Sequence, residues 1–227
     1  MKVAALYRFP VKAMAGEALE EVLLRWHGLE GDRRHAFVQS QDRSDFPWLT
    51  IREVPALTTY VPSRVNGTVV VRTPGGRELD VGSEELRLEL EAAHGRPVHL
   101  MHSHRGLADS SPVSVLSLQT VAAIGALAGR SLEPLRFRAN IIVDAPGEEF
   151  PEEALLGREL RIGDDARIRL DRPDSRCMVI NFDPHTAERD PAVLRAVAQH
   201  RDNCAAIYGS CVEPGTVRVG DRVEVIG

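Results

Sequence analysis

The sequence predicts a mixed α/β fold, dominated by β-strands, with a few helices inserted. Three observations predict it. The first 80 residues hold short β-branched runs separated by turn dipeptides. Later stretches place apolar residues at helical spacing. The closing residues, GTVRVGDRVEVIG, alternate apolar and polar side chains. At 227 residues and 43% hydrophobic composition the chain can bury a core without disulfides.

Residues 2–7 (KVAALY) read as a first strand, ended by Pro10. Residues 18–25 (ALEEVLLR) fit a strand or a helix equally by period. Residues 35–39 (HAFVQ) read as a strand after the charged turn GDRR. Residues 57–61 (LTTYV) and 68–73 (TVVVRT) read as two more. Turn signals stand at Asn66-Gly67 and at Pro74 to Gly76. Residues 83–94 predict a helix, with Ser83 as its N-cap and Glu84 and Glu85 in its first turn. Residues 117–128 predict a second helix. Residues 191–200 predict a third, with Pro191 at its first position. Strands are expected at 140–143, 160–162, 166–170 and 177–180. A final hairpin turning at Gly220-Asp221 is expected to close a barrel or sheet. A soft change of character over residues 95–110 divides a β-rich part, 1–95, from a mixed part, 96–227.

Composition removes several functions. A net charge of −5 argues against a phosphate-backbone binder, so no nucleic-acid partner is expected. No apolar run of about 18 residues exists, so no spanning helix and no membrane partner are expected. The start, MKVAALYRFPVKAMAG, does not read as a signal peptide, which makes the expected compartment cytoplasmic. Cys177, Cys204 and Cys211 are odd in number and form no C-x-x-C, so neither a disulfide framework nor a zinc ribbon is expected.

Four clusters carry possible chemistry. In Pro173-Asp174-Ser175-Arg176-Cys177, a guanidinium beside the thiol would favour the thiolate, which binds soft metals or attacks sulfur. The same residues also fit a turn followed by a core cysteine. In Arg136-Phe137-Arg138-Ala139-Asn140, two arginines two apart on an extended segment would share a face and suit a phosphate or carboxylate. Gly31-Asp32-Arg33-Arg34 is a third basic cluster. Lys12, one of two lysines against 26 arginines, is the fourth. Local cations in an acidic protein point to a small anionic ligand. His99, His102 and His104 lack a completing ligand set and read as a solvated loop. No G-x-S-x-G, H-E-x-x-H or P-loop motif is present.

Taken in order, these segments resemble the MOSC domain family (molybdenum cofactor sulfurase C-terminal domain). RFPVKAMAGEALEEVLL with GLEGDRRHAFV resembles its N-terminal β-barrel segment. Asp109-Ser110-Ser111-Pro112, with the run VSVLS after it, resembles its D-x-S-P segment. LRFRANIIVD, DSRCMVINFDPHT and EPGTVRVGDRVEVIG resemble its F-R-x-N-I motif, S-R-C…D-P-x-T signature and closing hairpin. The resemblance implies a MOSC-type β-barrel with inserted helices and a small N-terminal β-rich subdomain. It also implies molybdenum cofactor, with Cys177 as catalytic thiolate and metal ligand, as in amidoxime-reducing members. Lys12, Arg34, Ser111, Arg136, Arg138, Asn140, Ser175 and Arg176 are the cofactor-holding positions it implies, and Asp183 reads as a turn residue. Three departures stand out. Ala13 replaces a common serine, Asp174 replaces a cysteine, and Ala206 replaces a glycine.

The expectation is therefore a molybdenum-dependent oxidoreductase that reduces small N-hydroxylated substrates. Its electrons would come from a separate reductase or ferredoxin-like chain. A sulfur carrier with a persulfide on Cys177, fed by a cysteine desulfurase, is an alternative, as is a non-catalytic anion-binding module. The deciding geometry is whether Lys12, Arg34, Arg138 and Cys177 line one cavity.

Overall fold

A computed structural model describes residues 1–145 and 147–226. The first forty residues form β1 (Lys2–Arg8), β2 (Glu17–Leu19), β3 (Glu21–Arg25), β4 (Gly28–Leu29) and β5 (His35–Gln39). The ambiguous run 18–25 is thus two strands, and only alternate residues of β3, Val22 and Leu24, are buried. After a 3-10 turn come β6 (Val61–Val65), β7 (Thr68–Arg72) and β8 (Glu78–Asp80), with the first pair turning at Asn66-Gly67. Then follow α1 (Glu84–His94), β9 (Val98–His102), β10 (Val113–Ser117) and α2 (Leu118–Leu127). The remainder is β11 (Ile141–Asp144), β12 (Glu159–Ile162), β13 (Ala166–Ser175), α3 (Ala192–His200), β14 (Cys204–Glu213), β15 (Gly215–Arg218) and β16 (Val223–Val225). Ser83 caps α1 by accepting from the Leu86 amide at 3.3 Å, and Gly95 ends it in the left-handed region (φ 78°).

The main sheet has eight strands in the order β16-β12-β13-β14-β10-β11-β1-β2. Its centre is covered on both sides, which explains why all of β10 and residues 141–143 of β11 are buried. Val115, Ile141 and Val143 face one core with Leu160, Ile168, Ile207 and the small sheet β15-β3-β4. Leu116 and Ile142 face the other, against Val121 and Ile124 of α2 and Val193 and Val197 of α3. A third core lies among β5, β6-β7-β8 and α1, and Phe182 reaches it from the C-terminal part. β5 pairs with β9 across residues 95–96, and β1 lies within the main sheet. Among the described residues, no helix is long and apolar enough to cross a membrane.

Several sequence expectations need correction. Residues 57–61 are mostly a 3-10 turn, Pro55–Thr59, because Pro55 presets its first position and Leu57 and Thr58 bury inward. Residues 178–181 are likewise a 3-10 turn, not a strand. Met178 and Val179 pack on the third core and Ile180 on the helix-covered core. A turn of about three residues separates such neighbours better than two-residue alternation. His99 and His102 lie on β9, not in a loop.

The closing hairpin does not pair with itself. β15 pairs with β3 and β16 with β12, because the start of β1 inserts between them. The Val3 amide donates to the Asp221 carbonyl, and the Gly220 amide donates to the Val3 carbonyl, both at 2.8 Å. These bonds curl the main sheet back on itself. Among the described residues no ladder completes it, so the barrel expected from the sequence is an open, curled sheet.

Gly209 sits on β14 between its two neighbours, where an added Cβ would lie 2.5 Å from the Arg169 carbonyl oxygen. Gly209→Ala is expected to destabilise the fold by about 1–3 kcal/mol through strand separation. Urea unfolding checks this, and a midpoint equal to wild type would refute the close approach.

Candidate functional site

Pro10 ends β1, and the Lys12 amide donates to the His35 carbonyl at 2.8 Å, which carries the chain inward. The Lys12 side chain is 7% exposed. Its Nζ donates to the Leu107 carbonyl at 2.6 Å and to the Asp109 carboxylate, and lies 5.3 Å from the Trp48 ring centroid. Burial lowers its ammonium pKa, Arg33 and Arg138 lower it further, and Asp109 opposes them. Ala13 follows in the left-handed region (φ 69°) on the same cavity wall.

Phe9 organises the next pair. Its ring is fully buried, with the Arg33 guanidinium 4.8 Å from the centroid and that of Arg138 at 4.3 Å. Asp32 binds this set together, accepting from the Phe9 amide at 2.8 Å and from Arg33. Arg33 also donates to the Arg138 carbonyl at 3.0 Å. Arg138 donates to the Met14 carbonyl at 2.8 Å. Among the described residues no carboxylate comes within ion-pair distance of Arg138. Burial and the adjacent Arg33 push its pKa down to about 9. The group stays charged at neutral pH and lacks a counter-ion.

The end of β13 supplies the opposite wall. Asp174 is buried and pairs with Arg176, which also donates to the Phe137 carbonyl at 2.6 Å. Burial raises the Asp174 carboxyl, while Arg176 and the Tyr208 hydroxyl oppose the shift. Burial and Asp174 together raise the Tyr208 phenol. Cys177 follows, half-buried, at the start of the 3-10 turn. Arg52 lines the cavity with it, and the nearness of Cys177 raises the Arg52 pKa.

These segments enclose one cavity of about 440 Å³. Lys12, Arg138, Ser175, Arg176 and Cys177 line it, as do Arg33, Arg52, Arg172, Asp109 and Asp174. Six cationic side chains therefore face two carboxylates, in a chain of net charge −5. Four residues singled out from sequence do not line it. Arg33 takes the wall position expected of Arg34, because the left-handed turn at Arg33 (φ 48°) sets the two side chains apart. Arg136 and Arg138 do not share a face. They lie on a 3-10 turn and its left-handed end, so strand alternation does not apply, and Arg136 bonds to Asp183 (2.9 Å) and the Ile180 carbonyl (3.3 Å). Asn140 is buried behind the wall, donating to the Tyr7 carbonyl at 3.2 Å and accepting from Arg33 at 3.4 Å. Ser111 accepts from Arg172 at 3.0 Å, next to the lining Ser110. Asp183 accepts from the His185 and Thr186 amides, as a turn residue does, and also holds Arg136.

Sequence reasoning missed Arg52, Arg172, Phe46 and Tyr208. None belongs to a dense motif, and Arg52 meets Cys177 from a distant part of the chain. Ala206 takes the left-handed region (φ 76°), which accounts for the glycine of the family pattern at that position. Among the described residues no three His, Cys, Asp or Glu side chains gather into a metal-holding group.

Two family models match the chain. Residues 102–224 match the MOSC domain model, and residues 1–110 match the MOSC N-terminal beta barrel domain model. The chain is 26% identical over 135 residues to mitochondrial amidoxime-reducing component 1 of Homo sapiens, covering 52% of this chain and 38% of that protein. It is 42% identical over 64 residues to molybdenum cofactor sulfurase of Drosophila mojavensis, covering 28% of this chain and 8% of that protein. The chain thus spans well under half the length of these relatives. The crystal structure of the YUAD protein from Bacillus subtilis superposes with a TM-score of 0.56 at 13% identity, covering 99% of this chain and 94% of that one, a likeness of fold.

Two outcomes are expected from this geometry. Arg138→Gln should weaken inorganic phosphate binding by about tenfold or more in calorimetry, and unchanged affinity would remove Arg138 from the anion site. Asp183→Ala should cost about 1–3 kcal/mol by leaving Arg136 unpaired. Burial opposes the Asp183 charge, but the His185 and Thr186 amides and Arg136 hold its pKa below the usual carboxylate value. Its stabilisation is therefore present above the unfolded carboxylate pKa and lost as pH falls through the lower folded value. Urea unfolding at descending acidic pH should show the wild-type advantage over Asp183→Ala shrinking, and a constant advantage would refute the linkage.

Proposed function

The chain belongs to the MOSC domain family, and on that premise we propose that it is a molybdenum-cofactor-binding oxidoreductase acting on small N-hydroxylated substrates. One observation carries the reading: the Cys177 thiol and the counter-ion-free Arg138 guanidinium line the same cavity. The residues present fit a phosphate-bearing pterin that holds a soft metal. A thiolate suits the metal, and neighbouring guanidiniums suit a phosphate. The names of the amidoxime-reducing and cofactor-sulfurase relatives point the same way.

In this reading Cys177 ligates the metal, while Arg138, Arg33 and Lys12 hold the anionic end. When bound, the cofactor supplies the two-electron chemistry. The chain's own residues do the rest. Arg52 places a positive charge near the thiol, and Asp32 and Asp174 fix the two arginines beside them. Phe9 and Phe137 keep the inner end dry. The overall reaction breaks one N–O bond. Two electrons from a separate redox protein and two protons from solvent enter, and the reduced base and one water leave.

Protein from a molybdenum-replete host is expected to carry molybdenum near one equivalent. It should reduce a benzamidoxime-type substrate with a reduced viologen dye as electron source. Cys177→Ala should lower that rate by at least about 100-fold. Undiminished turnover would remove the thiolate from the reaction. Metal-free protein bearing a sulfur adduct on Cys177 would replace this reading with a sulfur carrier supplied by a cysteine desulfurase.

A further inference from the structure

The cations of the cavity fall into two groups. Lys12, Arg33 and Arg176 each pair with a carboxylate, and Arg138 lies among them on Phe9. Arg52 and Arg172 differ. Both are exposed, and among the described residues neither has a carboxylate partner. Each lies instead over an aromatic ring that also lines the cavity. The Arg52 guanidinium carbon is 5.7 Å from the Phe46 centroid, and that of Arg172 is 5.9 Å from the Tyr208 centroid.

The two pairs come from separate parts of the chain. Phe46 and Arg52 belong to the segment after β5. Arg172 and Tyr208 are cross-strand partners on β13 and β14. Ser111 steadies Arg172 through the 3.0 Å bond to its guanidinium. Cys177 lines the same cavity, near Arg52.

We infer that the exposed part of this cavity recognises a planar, anionic substrate, with Arg52 and Arg172 contacting its negative group and Phe46 and Tyr208 flanking its flat face. The inference deepens the reading above: among N-hydroxylated compounds this cavity favours those that carry a separate anionic group on a planar frame, and neutral benzamidoxime serves only as a probe of turnover. Arg172 commits one donor to Ser111, and guanidinium groups outside any protein ion pair retain further N–H donors for a carboxylate. The aromatic rings beside them offer apolar, flat surface. The uncompensated charge also repels a cationic compound of the same shape, so the discrimination works in both directions.

The test uses benzoate and benzamide as probes of equal shape and different charge. The full chain as purified is titrated calorimetrically with each, as wild type and as Arg52→Gln, Arg172→Gln and Arg138→Gln. Benzoate is expected to bind at least about tenfold more tightly than benzamide, and to lose about three- to tenfold in each of the first two variants. Arg138→Gln, which removes the deeper anion contact of the same cavity, should cost benzoate less affinity than either outer variant. Equal affinity for the two probes overturns the inference, as does no measurable benzoate binding. A loss confined to Arg138→Gln also overturns it, by moving the anion to the inner pair. The molybdenum content of the wild-type protein tests the earlier reading separately, so either idea can fail alone.

Discussion

Two guanidinium groups of like charge lie on one buried phenylalanine ring, and only one has a carboxylate beside it. Much of the molecule serves that arrangement. Asp32 ties the Phe9 backbone to Arg33, and the Arg33 amide returns a bond to the Phe9 carbonyl at 2.7 Å. Arg138 takes a left-handed backbone (φ 55°) and donates to the Met14 carbonyl. Burial without a counter-ion is costly for a charged group. The fold tolerates the cost by satisfying the guanidinium with carbonyl and π contacts, and the remaining imbalance is what an incoming anion would relieve.

The cavity lies between the third core, which gives Ala13 and Ile51 to its wall, and the helix-covered core, which gives Phe137, so sequence-distant groups converge there. β1 carries Lys12 out of the main sheet toward the third core. β13 ends at Ser175, and the turn beyond Cys177 sends successive side chains into two different cores. Cys177 is held half-buried between them. A cysteine wholly within either core would be a small apolar filler.

Charge within the cavity is graded. The inner cations are individually balanced or ring-stacked, while the outer pair is exposed and unbalanced. Such a gradient suits two guests with negative groups, one seated deeply and one arriving from outside. This cationic hollow stands in a chain of net charge −5, so its attraction for anions is local.

The sequence by itself determined the strand-dominated class, the three helices, the N-cap of α1 and the family. These rest on local signals: two-residue and 3.6-residue periodicity, turn dipeptides, and motifs contiguous along the chain. It also marked Arg138, Ser175, Arg176 and Cys177, each in a dense polar segment, and Lys12, one of two lysines against 26 arginines. Tertiary structure alone decided which of two adjacent arginines faces inward, that Arg136 serves Asp183, and that Arg52 comes near the thiol. It alone decided that β15 and β16 join different sheets. These are properties of backbone hand at single residues and of contacts between sequence-distant segments, and neither leaves a periodic trace in the chain.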